Sequence, residues 1–92
     1  MKKMVWHTTL YHATNWDSAD DIDWHGFRAG WGGHQGAAIY MCDSPGEAGR
    51  RSRNGNDVWF EVQVRLYDEG YSYDGYSYAI YDNWQIKGWR RM

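Results

Sequence analysis

Four histidines and one cysteine carry the reactive side chains of this 92-residue chain, and most of their spacings exclude familiar chemistry. His7, His12, His25 and His34 have neither the i, i+4 pairing nor the accompanying Cys-x-x-Cys of a zinc site, so no metal is expected. Cys42 closes the apolar run Ala37–Cys42 and reads as a small buried hydrophobe, since a thiol in such surroundings stays protonated and is a poor nucleophile. Gly32, Gly33 and Gly36 lack the Lys-Ser/Thr that follows a phosphate-cradling loop, and no strand precedes them. Asp20, Asp21 and Asp23 fit the solvated face of a helix. Two residues remain. His12 stands at the polar end of Leu10-Tyr11-His12-Ala13-Thr14, where functional side chains often sit, and Tyr40 follows a glycine-rich segment that would hold its ring at the rim of a cleft for a flat ligand. Taken alone, the plainer reading is a hydrogen-bonded histidine at a strand end and a core ring.

The elements that must position these residues are legible in part. Leu10–Thr14 suits a half-buried strand, although Met1–Thr9 before it only permits one. A helix follows over 15–25, with Asn15 or Asp17 as N-cap, acidic residues in its opening turns and Gly26 as its stop; Ala19, Ile22 and Phe27 face the core. The segment 28–36 reads as loop and Ala37–Cys42 as a short buried strand. Ser44-Pro45-Gly46-Glu47 is then a helix start, with Ser44 as cap, Pro45 at the first helical position and Glu47 completing a capping box. That helix runs about two turns before Asn54-Gly55-Asn56. Val58, Phe60, Val62, Val64 and Leu66 alternate with Trp59, Glu61, Gln63 and Arg65, which marks a strand with one buried face. Tyr71-Ser72-Tyr73 and Tyr76-Ser77-Tyr78 flank Asp74-Gly75, the signature of a type I′ hairpin, and a strand continues to Tyr81 before turn chemistry at Asp82-Asn83. The expected class is α+β, with a mainly antiparallel sheet and one or two short helices.

Composition narrows the function classes. Ninety-two residues suit one small domain, 1–92. A formal net charge of −2 argues against a general nucleic-acid or membrane-surface binder, although Arg50, Arg51 and Arg53, and Arg90 and Arg91, can form local basic patches. A single cysteine and the lack of a long apolar run point to a reducing, cytoplasmic setting without membrane contact, and to a monomer. Seven Trp, eight Tyr and two Phe are too many for so small a core to hide, so some rings should line a binding surface; Trp31, Trp59, Tyr71 and Trp84 are candidate platforms for sugars or bases.

Three segments taken in order carry a resemblance. Leu10-Tyr11-His12-Ala13-Thr14, Gly36-Ala37-Ala38-Ile39-Tyr40 and Tyr78-Ala79-Ile80-Tyr81-Asp82-Asn83-Trp84-Gln85-Ile86 resemble the His-Gly-Thr, Gly-x-x-Tyr and Glu-Tyr-x-x-Tyr-Asp-x-x-Gln-Ile blocks of the poly(ADP-ribose) polymerase-like ADP-ribosyltransferases, the diphtheria-toxin-type branch with a His-Tyr-Glu triad. His25-Gly26-Phe27 after the first block and Asp43 after the second agree in placement, and the likeness runs from Leu10 to Ile86.

The resemblance implies a split-sheet fold that holds NAD as co-substrate in an extended cleft, and a mono-ADP-ribosyltransferase that cleaves NAD and transfers ADP-ribose to a macromolecular acceptor. That acceptor would be a protein, with nucleic acid an open alternative, and the chain a compact effector or inhibitor. His12 would bond the adenosine ribose and Tyr40 would stack on the nicotinamide. Ala13, with Thr14 beside it, takes the position of the glycine whose backbone pairs the nicotinamide amide. Glu47, or Ala48 next to it, falls where the family has a nicotinamide-binding serine. The family's catalytic glutamate corresponds to Ser77, so the triad reads His12, Tyr40, Ser77. A serine supplies a hydrogen bond but no charge, which leaves Glu61, Glu69 or Asp74 as substitutes, or a non-catalytic module that reads NAD, ADP-ribose, sugars or bases.

Overall fold

The computed structural model describes residues 4–33 and 36–92, without the side chains of residues 4, 30–33 and 36. Its backbone is built on two long central strands, β1 (Met4–Thr14) and β4 (Val58–Tyr67), paired antiparallel from Met4↔Tyr67 to Thr14↔Val58. The alternation in β4 does what its period dictates: Val58, Phe60, Val62, Val64 and Leu66 are each at most 6% exposed, while the residues between them lie on the opposite, less buried face. Around this pair the strands run in the order β5 (Tyr71–Tyr73), β6 (Ser77–Ile80), β3 (Gly36–Cys42), β1, β4 and β7 (Ile86–Arg91), with β2 (Gly30–Gly33) also pairing with β3. Every pairing is antiparallel.

The two helices cover opposite faces of this sheet. Helix α1 (Trp16–His25) begins at Asn15, whose side chain accepts the Ser18 amide at 2.8 Å, and ends at Gly26, whose φ of +80° suits glycine. It buries Ala19 and Ile22 on the face that carries Leu10, Ile39, Met41 and the β4 side chains, where Phe27 meets Phe60 and Trp89 edge to face. Helix α2 (Pro45–Arg51) packs Ala48 on the other face, against Ala13 and Cys42. The indole of Trp59 pins it there by donating Nε1–H to the Pro45 carbonyl at 3.1 Å.

Several expectations are corrected. Ser44 caps α2 through the Glu47 amide at 3.3 Å, but the Glu47 carboxylate turns to Arg51 at 2.9 Å and Arg50 at 3.1 Å, so only half of the capping box forms. The hairpin turn is centred on Gly75-Tyr76, and Gly75 alone has positive φ, which matches type II′ in place of type I′. Its Asp74 carboxylate accepts the Tyr76 and Ser77 amides at 3.0 and 2.8 Å. The segment 28–36, read as loop, contains β2; its residues 34 and 35, and with them His34, lie outside the described residues. Strand β7 was not foreseen: a register shift between Gln63 and Val64 breaks the period-2 pattern that would have announced it. Its end is tied to α1 by Arg91, which bonds Asp20 at 2.7 Å and Asp23 at 2.8 Å. No helix among the described residues is long and apolar enough to cross a membrane.

Candidate functional site

Strands β1 and β3 are neighbours that barely pair, and the site lies where they part. Their only registered pair is Tyr11↔Cys42. The Met92 amide donates to the Trp59 carbonyl at 2.9 Å, so the odd-numbered residues of β4 bond to β7 and the even-numbered ones to β1. With His12 opposite Phe60, the even residues of β1 therefore bond to β4, and Tyr11 and Ala13 turn their backbone groups toward β3. The next rung would join Ala13 to Tyr40. It is replaced by a side chain: His12 Nδ1 lies 2.8 Å from the Tyr40 carbonyl oxygen, with the imidazole edge-to-face on Phe27 at 5.4 Å. The Ala13 carbonyl accepts the Ser52 hydroxyl at 2.9 Å, which ties the segment after α2 to the same gap.

A cleft of about 620 Å³ opens here, lined from β1 by Tyr11, His12, Ala13 and Thr14, from β3 by Tyr40 and Cys42, and from β6 by Ser77. That volume is in the range of small-molecule and cofactor sites. Of the residues singled out in the sequence, His12, Ala13, Thr14, Tyr40 and Ser77 thus share one cavity, with Tyr40 half-buried and Ser77 Oγ 3.7 Å from Cys42 Sγ. The Thr14 hydroxyl is buried in this wall without a hydrogen-bond partner. Glu47 is not part of the lining, whereas Ala48 is. None of the candidate replacement acids lines the cavity: Glu61 bonds Arg90 at 3.1 Å, Glu69 sits in a turn with φ of 67°, and the Asp74 carboxylate, though it accepts the Ser77 amide at 2.8 Å, is spent on the hairpin turn. Trp59 and Trp84 are not cleft residues, and the side chain of Trp31 is outside the described residues.

Burial shifts the titration of two groups in the cleft wall. Burial holds the His12 imidazole below its ordinary pKa, against a smaller opposing effect from the Tyr40 carbonyl. A neutral ring that donates Nδ1–H to that carbonyl keeps Nε2 as an acceptor. Burial pushes the Cys42 thiol up, so it is protonated near neutral pH. The sign of the linkage follows for His12: below about pH 6.5 the unfolded chain takes up the proton that the folded one refuses, so His12 lowers stability as pH falls through that value and contributes no slope well above it. Thermal unfolding followed by tryptophan fluorescence should show a flatter pH dependence just below about pH 6.5 in His12→Gln than in the parent. Identical slopes would place the imidazole in water in both states.

Sequence reasoning allowed Arg50, Arg51 and Arg53 a local basic patch but did not place any of them in the cleft. Arg28, Arg51 and Arg53 line it, and Asp21 is its one carboxylate among the described residues, already bound by Arg28 at 2.7 and 2.9 Å. Three arginines and one carboxylate thus line the cleft, with Arg51 in turn bound by Glu47 just outside the lining. The signal was present for Arg51, which lies three residues after the inward-facing Ala48 and so on the same side of α2. Among the described residues no group of three or more His, Cys, Asp or Glu is placed to hold a metal. Family models, curated proteins and solved structures were each compared with the chain and none matches.

Proposed function

We propose that the cleft binds NAD and that the protein is a mono-ADP-ribosyltransferase with a split-sheet, ADP-ribosyltransferase-like fold. One observation carries this reading: three segments far apart in sequence, holding His12, Tyr40 and Ser77, lie on the adjacent strands β1, β3 and β6 around one cavity, at a gap in the sheet. Such a gap supplies what a nicotinamide amide needs, since the backbone of Ala13 faces it beyond the last rung of the ladder. His12 Nε2, an acceptor in the neutral ring, suits a ribose hydroxyl. The Tyr40 ring would stack on the nicotinamide, worth about 1 kcal/mol beyond its buried area. Ser77 would bond the nicotinamide ribose without offsetting the positive charge that develops on it, so an acceptor bringing its own negative charge reacts faster than water.

Incubation with NAD and chromatographic measurement of free nicotinamide tests the reading directly. His12→Ala and Tyr40→Ala are expected to weaken NAD binding by about tenfold each while leaving folding stability within about 2 kcal/mol, because both side chains face a cavity. Parallel losses of folding and binding would mean that the two residues only support the core.

A second reading is favoured by the state of Asp21. Among the described residues the one carboxylate lining the cleft is occupied by Arg28, which leaves no free acid in that lining and fits a module that reads NAD or ADP-ribose without cleaving it. Tight binding of NAD with no nicotinamide released would select it.

A further inference from the structure

At the gap between β1 and β3, two side chains stand in for backbone donors. His12 Nδ1 takes the Tyr40 carbonyl at 2.8 Å, and the Ser52 hydroxyl takes the Ala13 carbonyl at 2.9 Å. Ala13 is 4% exposed, and a carbonyl in so buried a residue needs a donor at all times. Ser52 supplies it from a segment that holds its oxygen in place. The Asn54 amide donates to Ser52 Oγ at 3.3 Å, and the Asp57 amide ties the far end of the segment to the Thr14 carbonyl at 3.0 Å. Ser52 Oγ also meets the Gly55 carbonyl, where the chain turns back at a φ of +91°. A hydroxyl has one proton, so at any moment it serves Ala13 or Gly55, and rotation about the Cβ–Oγ bond moves the proton between them without displacing a heavy atom. Ser52, Arg53 and Asn54 all line the cleft, as Ala13 does.

Resting on the reading of the cleft as an NAD site, we propose that the Ser52 hydroxyl is an internal competitor for the carboxamide position: it occupies the Ala13 carbonyl that the nicotinamide N–H takes, and turns to Gly55 when the ligand arrives. A group that displaces it must bring an N–H of its own, since a buried carbonyl left without a donor is destabilising. A primary carboxamide does so. An acetyl group of the same shape presents a methyl instead and leaves Ser52 on Ala13. Turning to Gly55 keeps the hydroxyl paired, which makes the cap reversible. It still opposes the ligand, because the parent exchanges one protein hydrogen bond for another, where a chain lacking the hydroxyl would displace only water. Ser52 therefore lowers affinity for the carboxamide, and its return to Ala13 favours the departure of nicotinamide after cleavage. No covalent bond forms or breaks in this exchange, and the proton stays on the hydroxyl.

The test measures, by calorimetry on the whole chain, the dissociation constants of NAD and of its acetylpyridine analogue, in which a methyl replaces the amide nitrogen. Both are used in the carbocyclic form, which resists cleavage. The proteins are the parent, Ser52→Ala, Ser52→Cys and Ser52→Thr, each with its unfolding midpoint. Ser52→Ala should bind the carboxamide about 2- to 10-fold more tightly, the net worth of one hydrogen bond, and the acetyl analogue no more tightly than the parent does. Ser52→Thr keeps the hydroxyl and should reproduce both parental constants. Ser52→Cys, a weaker donor of similar size, should fall between, and carries the test if alanine destabilises the segment. An equal change for the two ligands, or none, means that the hydroxyl only holds the segment in place. Weaker binding of the carboxamide means that it assists the amide. Either result overturns the competitor and leaves NAD binding standing, whereas a parent that binds neither dinucleotide ends the NAD reading and this proposal with it.

Discussion

Ser77→Glu is expected to raise the hydrolysis of NAD by about 10- to 1,000-fold, the range associated with one positioned charged or proton-handling group. The position lines the cleft and is half-buried at the start of β6, opposite Cys42 in the β3 ladder, so a longer side chain there reaches the cavity and stays partly hydrated. A carboxylate at this point would stabilise the positive charge forming on the ribose and orient water, neither of which a hydroxyl can do. Ser77→Gln, of similar size and without charge, should give no such gain. The measurement is nicotinamide release in phosphate-free buffer, together with NAD affinity and an unfolding midpoint for each variant. A Ser77→Glu protein that folds and binds NAD yet releases nicotinamide no faster would remove position 77 from the chemistry. If hydrolysis does rise, nicotinamide release should no longer depend on an acceptor that brings its own negative charge, because the protein would then supply that charge itself.

Gln85→Ala is expected to destabilise the fold by about 2–4 kcal/mol, combining an unpaired amide with the space left by the side chain. Gln85 is fully buried, and its side chain holds three segments at once. Oε1 accepts the Tyr67 amide at 3.3 Å, and Nε2 donates to the Gly70 carbonyl at 2.7 Å and reaches the Asp82 carbonyl at 3.4 Å. Gly70 lies so close that a Cβ on it would stand 2.8 Å from Gln85 Oε1. The end of β4, the turn before β5 and the 3-10 turn Asn83–Gln85 therefore converge on one amide. Urea unfolding should show the shift in midpoint, with Gln63→Ala as control: that glutamine only accepts the exposed Thr9 hydroxyl and should change stability by about 0.5 kcal/mol or less. Equal shifts for the two glutamines would show that the buried network contributes nothing beyond a surface contact.

Local chemistry carried much of this domain into view from the sequence. The buried face of β4 follows from strict alternation, α1 from Asn15 and Gly26 at its two ends, and α2 from Ser44 and Pro45, because each depends on backbone geometry within a few residues. Ala19, Ile22 and Phe27 were legible as core for the same reason and are at most 8% exposed. Where the local pattern was interrupted, it misled: the bulge in β7 hid a strand, and Asp74-Gly75 suggested a turn one residue out of step with the one that forms.

The sequence by itself determined which residue types were available: one histidine at a strand end, one tyrosine after a glycine-rich segment, and a serine where the resembling family has a glutamate. Only the tertiary structure decided that His12 bonds the Tyr40 carbonyl in place of a rung between β1 and β3, that Ser77 shares their cavity, and that Glu47 turns away to its arginines. It also decided which charged side chains line the cleft. Net charge is a sum over the whole surface and carries no positions: eleven of the twelve acidic residues lie outside the cavity lining while Arg28, Arg51 and Arg53 lie within it. Strand order and splay set that distribution, and they depend on contacts between residues dozens of positions apart, which no local pattern records.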